Sequence, residues 1–206
     1  MPEAAVGRAY GGLSESQRRA DRRDRLIAAG TRCFGRDGYV GTSVEAVCAE
    51  AHVGKRYFYE SFPGLEAFLI AVYEHLSQSI LDELTVALAA HPDDLVAGAH
   101  AVVETLYRRL DREPEVARIV LSEVLGRGPH VDAAYRAVMD RWVAMIAEAL
   151  RGRGYREAGA PAVAGAVFGL VTGTALRWQL AGRDQPVEDL VLVVGRMLAD
   201  VVRGLD

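Results

Sequence analysis

Apolar residues recur at helical spacing along almost the whole chain, and this periodicity is the feature that most limits its fold. No stretch alternates apolar and polar residues in the way a half-buried β-strand does, and no internal repeat interrupts the pattern. Half of the 206 residues are hydrophobic, which is enough to bury a sizeable core. The sequence therefore predicts an all-α protein of about nine helices.

Prolines mark the starts of the later helices, because a proline in the first turn of a helix loses no hydrogen bond. Five prolines each precede an apolar-periodic stretch: Pro92, Pro114, Pro129, Pro161 and Pro186. We expect residues 1–17 to form a disordered N-terminal arm, residues 18–65 a small domain, and residues 66–206 a larger helical domain.

Two helices are predicted at the start of the small domain. Helix one ends at Gly38, which supplies a left-handed stop. The "TSVE" segment then offers Thr42 as an N-cap and Glu45 as its partner in a capping box, so a short second helix follows. Cys33 and Cys48 fall on the apolar stripes of these helices without metal-ligand spacing, and we expect them to be reduced and buried.

A third helix begins near Gly54, after a tight turn, and it has two different faces. Phe58 and Phe62 lie four residues apart on one face and are predicted to enter the core. The other side chains cannot all point inward and form an exposed face of cations and phenols: Lys55, Arg56, Tyr57 and Tyr59. Two short helices joined by a tight turn, the second with such a face, describe a helix-turn-helix.

Charge is unevenly distributed in a chain whose net charge is -4. Residues 1–65 contain ten basic against eight acidic residues, and the remainder contains 14 against 20. Lysine and arginine neutralise phosphates, and tyrosine hydroxyls donate to phosphate oxygens. A basic end on an acidic body is compatible with DNA as the partner of the helix-turn-helix, and a solvated surface with half-buried rings is an equal alternative at this point.

Residues 23–74 resemble the N-terminal DNA-binding domain of the TetR family of bacterial transcriptional regulators. The match runs in order from the "CF" of helix one through "GY..TSV" and "YFY..F" to "E.F...V". The resemblance implies that helix three enters the major groove and that five residues lie where family members contact DNA: Thr42, Ser43, Lys55, Tyr57 and Tyr59. Arg56 replaces a common glycine and can read guanine, so we expect Arg56 and Tyr57 to face bases and the others the backbone.

Several positions depart from the usual pattern of that family. Gly54 stands in place of a serine, and His52 occupies the turn position of a glycine, where a positive φ is tolerated. Leu65 replaces the lysine that usually holds a phosphate. Glu60 follows Arg56 by one helical turn and can pair with it, which would hold the guanidinium away from a base.

The start of helix one is rich in arginine, interleaved with Asp21 and Asp24. The basic residues of this segment are Arg18, Arg19, Arg22, Arg23 and Arg25. Such a segment can follow the DNA backbone or enter a minor groove. The alternative, a solvated start to helix one, is favoured because the acidic residues cancel part of the charge.

Three glycines recur at four-residue intervals on one ridge of helix eight: Gly165, Gly169 and Gly173. Each costs about 1 kcal/mol relative to alanine in a helix interior, so close approach of another helix is expected. The last two helices form the dimer interface in the family that this chain resembles, and we interpret the ridge as part of a homodimer interface. The alternative is close packing inside one protomer.

The middle helices are expected to enclose a regulatory pocket for a small-molecule effector. Candidates combine apolar surface with a few polar groups: Tyr73, His100, Glu104, Tyr107, Met139, Trp142, Met145, Phe168, Thr172 and Trp178. Each of them is alternatively a core residue. The effector would favour a protomer spacing that no longer fits two successive major grooves.

The sequence offers no setting for catalysis or for a cofactor. Its five histidines show no paired metal spacing, and no P-loop, complete G-x-G-x-x-G or nucleophile motif is present. We therefore expect no enzyme, no cofactor and no metal site. No apolar run approaches the length of a membrane span and no signal peptide is recognisable, so we expect a cytoplasmic protein without a membrane partner.

The predicted function is that of a TetR-like transcriptional regulator, a homodimeric repressor released from a palindromic operator by a small molecule. The alternative is a helical ligand-binding or interaction module with weak or no specific DNA binding. Salt dependence separates the two, because phosphate contacts make affinity fall as salt rises.

Overall fold

The structure is a computed structural model that describes residues 14–152, 155 and 159–204. Within these ranges it contains nine α-helices, one short π-helical segment and no strand, which confirms the all-α prediction. The α-helices are α1 (Glu15–Gly41), α2 (Val44–Ala51), α3 (Lys55–Tyr59), α4 (Leu65–Ala89), α5 (Leu95–Arg112), α6 (Pro114–Arg118), α7 (Pro129–Gly152), α8 (Ala160–Leu180) and α9 (Val187–Arg203). The π-helical segment, here the π turn, is Ile119–Glu123 and directly continues α6.

Helix α1 begins earlier than the sequence pattern indicates. The Ser14 side chain accepts a hydrogen bond from the Gln17 N–H, and the Gln17 side chain accepts one from the Ser14 N–H, which forms a capping box. Residues 15–17 are therefore helical, although they belong to the arm that we expected to be disordered. Residues 1–13 of that arm lie outside the described residues, and the domain boundary near residue 65 stays a prediction.

The turn between α1 and α2 confirms one prediction and corrects another. Gly38 has the expected positive φ, 73°, and breaks the helical backbone there, but α1 continues beyond it to Gly41 instead of ending at Gly38. The N-cap of α2 is Ser43, not Thr42: the Ser43 hydroxyl accepts from the Ala46 N–H at 3.2 Å. The Thr42 hydroxyl instead donates to the Gly38 carbonyl at 2.8 Å and is buried, so the predicted capping box with Glu45 does not form.

The core of the N-terminal unit is built around aromatic rings. Phe58 and Phe62 are buried as predicted, and both lie against Phe68 of α4, with ring centroids 5.1 and 4.8 Å away. Phe34 of α1 contacts the same ring at 5.7 Å. His52 closes α2 in the left-handed conformation, with φ of 52°, which confirms its role in the turn. These contacts leave the rest of α3 on the surface.

The C-terminal helices pack as layers around α4 and α5. Helix α5 lies against α4 and α9, and α7 lies against α8 and α4. Pro114 and Pro129 are the first residues of their helices, Pro161 is in the first turn of α8, and Pro186 caps α9. Helix α5 begins three residues after Pro92, where Asp94 accepts from the Ala97 N–H. The proline signals therefore located these helix starts to within a few residues.

Helix α8 departs from one expectation. It is long and apolar enough to cross a membrane by length and composition alone, although we expected no such segment. Only 22% of its most apolar 18-residue stretch is buried in the protomer. Its exposed side consists largely of small residues, among them Ala162, Ala166, Gly169 and Gly173.

A buried carboxylate joins the N-terminal unit to the rest of the molecule. Glu123, at the end of the π turn, has a side chain that is 8% exposed. It accepts from Arg118 Nε at 2.9 Å, from Arg127 Nη2 at 3.2 Å, and from the Tyr39 N–H of α1 at 2.9 Å. Arg118 Nη1 also donates to the carbonyl oxygens of Gly35 and Arg36. The last turns of α1 are thereby tied to α6 and the π turn.

The same junction requires a glycine at position 35. An added Cβ on Gly35 would lie 2.2 Å from Glu115 Cβ and 2.7 Å from its Cα, so the two helix backbones are in near contact. Backbone atoms cannot move aside as a flexible side chain does.

We expect Gly35→Ala to lower the free energy of unfolding by about 1 to 3 kcal/mol, the usual cost of overpacking, despite the better helix propensity of alanine. Gly41→Ala is the control, because its added Cβ approaches only Asp37 Cβ, at 3.4 Å, in the same helix. Urea denaturation of both variants measures the difference. An unchanged or raised midpoint for Gly35→Ala would contradict the close approach of α1 and α6.

Candidate nucleic-acid interface and cavities

Helix α3 presents the cation and phenol face that the sequence predicts. Of its five residues only Phe58 is buried, and the other four are exposed: Lys55, Arg56, Tyr57 and Tyr59. Ser43 is exposed at the start of α2, while Thr42 is 6% exposed and its hydroxyl is used inside the fold. The structure thus brings five of the six candidate DNA-binding residues to the surface.

Both cations of α3 form ion pairs with glutamates. Lys55 Nζ binds the Glu45 carboxylate of α2, and this hydrogen bond lowers the pKa of Glu45 and raises the pKa of Lys55. Arg56 Nε binds Glu60 Oε1 at 3.0 Å, the pairing expected from their spacing. The Arg56 side chain is nevertheless 87% exposed, so the pair sits in solvent. The Glu45 contact crosses between helices and was not anticipated.

Arginines of α1 hold the helix-turn-helix together, a role that sequence reasoning missed. Arg25 donates to the carbonyl oxygens of Ala51 and His52, at 2.7 and 2.8 Å, and so satisfies the end of α2. The Arg22 guanidinium lies 4.3 Å from the centre of the Tyr57 ring. The charged start of α1 therefore braces the turn and α3, and is more than the solvated segment that the charge balance favoured.

The two cysteines occupy the core of this unit. Cys33 and Cys48 are free and buried, as predicted, and burial raises the pKa of both thiols. A raised pKa keeps a thiol protonated and unreactive at neutral pH. No group of three or more ligating side chains that could hold a metal occurs in the part of the chain that the structure describes.

A cavity of about 460 Å³, here the wide cavity, lies among α4, α5, the π turn, α7 and α8. Four hydroxyl-bearing side chains border it: Tyr73, Ser77, Tyr135 and Thr172. The rings of Tyr73 and Tyr135 stack with centroids 6.3 Å apart, and burial raises the pKa of Tyr73, so its hydroxyl is neutral. None of the described residues that border this cavity is charged.

A second, smaller cavity of about 80 Å³, here the narrow cavity, adjoins the first. Ala99 and Ala149 are among its apolar walls, and no charged residue among those described borders it. Four residues border both cavities: Leu106, Trp142, Phe168 and Thr172.

Six of the ten pocket candidates border a cavity. These are Tyr73 and Met139 in the wide cavity, Met145 in the narrow one, and Trp142, Phe168 and Thr172 in both. Sequence reasoning missed Ser77 and Tyr135, whose polar groups differ little in pattern from those of solvent-facing residues.

The structure places the other four candidates away from both cavities. Tyr107 is buried and its hydroxyl donates to the Val171 carbonyl at 2.9 Å, and Trp178 Nε1 donates to the Gln185 carbonyl at 3.0 Å. The polar atoms of Tyr107 and Trp178 are therefore engaged in hydrogen bonds within the fold. Glu104 pairs with Arg108 on the surface, and His100 packs against Gly195 of α9 on another face of α5.

The glycine ridge of α8 borders the wide cavity. Gly165, Gly169 and Gly173 all contribute to its wall, and an added Cβ at any of them would meet no atom within 4 Å. The described part of the protomer therefore contains no close-packed helix over the ridge. Its role in a dimer stays a prediction.

Comparison with protein families and solved structures agrees with this geometry. Residues 26–72 match the family model described as bacterial regulatory proteins, tetR family. The fold is similar to that of the fatty acid degradation regulator FadR from Bacillus halodurans, with a TM-score of 0.77 and 18% identity over 85% of this chain and 97% of that one. None of the curated proteins matches this chain.

Two further solved structures share the fold. FadR from Bacillus subtilis, solved in complex with stearoyl-CoA, gives a TM-score of 0.70 and 14% identity over 85% of this chain and 97% of that one. A TetR-like transcriptional regulator from Rhodococcus sp. RHA1 gives a TM-score of 0.65 and 18% identity over 94% and 98%. At these identities the likeness establishes the fold.

The fold and the exposed face of α3 define a helix-turn-helix transcriptional regulator with a larger helical domain. The match over residues 26–72 identifies the N-terminal region as a DNA-binding domain of the TetR type, and the whole fold is similar to that of TetR-like transcriptional regulators, which confirms the resemblance found in the sequence.

We expect Glu45→Gln to tighten binding to any DNA duplex, because it removes a negative charge beside the phosphates and releases Lys55 from its ion pair. The slope of log affinity against log salt should become steeper by up to about 0.9, the value for one added phosphate contact. Fluorescence anisotropy across a salt series measures both changes.

Glu148→Gln is the matched control, since it removes the same charge from an ion pair on α7. An unchanged salt slope for Glu45→Gln, or an equal change in the control, would show that Lys55 does not reach the DNA backbone.

Proposed function

We propose that this protein is a cytoplasmic homodimeric repressor that binds a palindromic operator and is released from it by a small-molecule effector. The observation that carries the proposal is the exposed cation and phenol face of α3, on a domain that matches the TetR family. The protein acts by binding and not by catalysis, because its described polar groups are hydroxyls, ion pairs and helix caps without a nucleophile setting.

Arg56 is the proposed reader of base identity. Its ion pair with Glu60 is exposed, and exposed pairs contribute only about 0 to 1 kcal/mol. A bidentate contact to guanine is worth about 1 to 3 kcal/mol of discrimination. DNA therefore competes successfully for the guanidinium. Ser43, Lys55 and Tyr59 contact the DNA backbone and so orient the helices on it. Tyr57 contacts the bases beside Arg56.

Thr42 needs a different role from the one that the resemblance implies. Its hydroxyl proton is used by the Gly38 carbonyl, and the side chain is buried. We propose that Thr42 fixes the start of α2 so that Ser43 and the first amides of that helix face the phosphates.

The dimer is proposed to form through α8 and α9. The α8 ridge is uncovered, and α9 exposes apolar side chains on one face: Leu192, Val193 and Met197. An apolar surface of this kind is rare on a monomeric protein and is typical of an interface. A second copy packed on the ridge would also account for the long, apolar and poorly buried helix α8 without a membrane.

Effector release is proposed to act through the π turn. Val120 and Leu121 border the wide cavity, while Glu123 of the same turn holds the Tyr39 N–H of α1. An effector that moves this turn changes the position of α1, and with it α3. The effector then favours protomer positions that do not fit two successive major grooves.

The chemistry of the cavities favours an effector that is mainly apolar. Bacillus subtilis FadR, which shares this fold, was solved with stearoyl-CoA. We propose that the effector is an amphiphile with an aliphatic chain, whose neutral hydrogen-bonding groups meet the hydroxyls of Tyr73, Ser77 and Tyr135.

The test of this function is selection of bound fragments from genomic DNA, followed by titration of the winning fragment at two salt concentrations. We expect a palindrome that binds two copies of the chain, with affinity that falls steeply as salt rises. Enrichment of no fragment even at low salt would overturn the proposal and favour the alternative, an interaction module without specific DNA binding.

We expect Arg56→Ala to weaken binding to the selected palindrome by about 1 to 3 kcal/mol while hardly changing binding to a random duplex. Arg151→Ala, which removes an exposed arginine of α7 paired with Glu148, is the control and should change neither. Competition titrations against both duplexes provide the measurement. Equal losses on the two duplexes would rule out base reading by Arg56.

A further inference from the structure

We propose that the narrow cavity is a chain-end subsite, which receives the tip of an unbranched aliphatic chain whose first part occupies the wide cavity. The inference rests on the proposed effector function and adds what that function does not specify: how the protein selects chain length. The occupant is one slender hydrocarbon chain, and the two cavities form a single continuous binding path for it.

The walls of the narrow cavity are almost wholly apolar. The hydroxyl of Thr172 already donates to the Phe168 carbonyl at 2.7 Å, and the indole N–H of Trp142 is the one other N–H or O–H that a described wall side chain carries. Cavities with only apolar walls stay dry and take up apolar molecules, because water needs two to four polar partners. The chemistry of this space therefore excludes a polar headgroup and accepts hydrocarbon.

The two cavities meet at a pair of aromatic rings. Trp142 and Phe168 border both, with ring centroids 6.2 Å apart and planes inclined by 75°. Both side chains are only partly buried, so they lack the dense surroundings of the core residues. At this separation the two rings are in edge-to-face contact, so a chain passes from one space to the other only when one of the rings turns aside.

The polar wall residues also lie at one end of the proposed binding path. The hydroxyls of Tyr73, Ser77 and Tyr135 border only the wide cavity, whereas Ala99 and Ala149 border only the narrow one. Since no described wall residue is charged, a carboxylate or phosphate headgroup stays at the opening and the chain points inward. Chain length then decides whether the tip reaches the narrow cavity.

The experiment measures direct binding to the purified protein, without DNA, of unbranched saturated fatty acids lengthened by two carbons at a time, and of the matching CoA thioesters. Affinity should rise by up to about fourfold for each methylene that enters the path, and should stop rising once the narrow cavity is full. Binding of one series alone identifies the headgroup, and the series that binds is then used to test the subsite with the variants that fill the narrow cavity.

Ala149→Leu fills the narrow cavity from α7 and should weaken binding of the longest chains by about tenfold or more, while short chains bind as before. Ala144→Leu is the matched control, because the same change on the exposed side of α7 leaves both cavities open. Ala99→Leu fills the cavity from α5 and provides a second variant should the first fail to fold.

The optimum chain length should move to shorter chains in either filled variant. An optimum that stays in place in both folded variants, or a wild-type protein that binds no chain of either series, would overturn the subsite. DNA selection with the same preparations tests the proposed function separately. A protein that selects a palindrome but binds no aliphatic chain keeps its regulator function and loses this inference.

Discussion

The Glu123 carboxylate is the interaction that fixes the N-terminal unit relative to the rest of the molecule. It is nearly buried, and an uncompensated buried charge costs several kcal/mol. Its donors come from three places: the end of α6, the loop before α7, and the backbone of α1 at Tyr39. Separating α1 from the π turn would leave this charge without one of its three donors, so the junction holds one geometry.

Helix α1 connects this junction to α3, the helix with the exposed cation and phenol face. Its C-terminal turns are held by Glu123 and Arg118, and its N-terminal half holds α2 and α3 through Arg25 and Arg22. Tyr39 lies beyond Gly38, where the backbone of α1 is not helical, so a displacement at the π turn reaches the straight part of α1, and with it α3, through the bonds from Arg118 to the carbonyls of Gly35 and Arg36. The near contact of Gly35 with Glu115 supports the same arrangement, because it leaves no space in which the two helices could slide past each other.

Structural features that depend only on neighbouring residues were predicted well from the sequence. The positive φ of Gly38 and His52 and the burial of Phe58 and Phe62 all follow from patterns within about one turn. The cap of α2 was misplaced by one residue, because Thr42 and Ser43 are both good caps and only the fold decides which hydroxyl is free. Contacts across long stretches of chain were missed. Tyr39 and Glu123 are 84 residues apart, and the one trace in the sequence is a glutamate inside an apolar run.

The glycines of α8 show why the cavity and the proposed dimer belong to one argument. Each glycine costs about 1 kcal/mol in a helix interior, and no atom of the described protomer packs closely enough to require it. Two uses remain for the space that they leave: room at the wall of the wide cavity, and room for a second copy of the chain. If both uses hold, an effector in the wide cavity touches the same backbone as the partner. Effector affinity and dimer geometry would then be linked by a coupling free energy that must act equally in both directions.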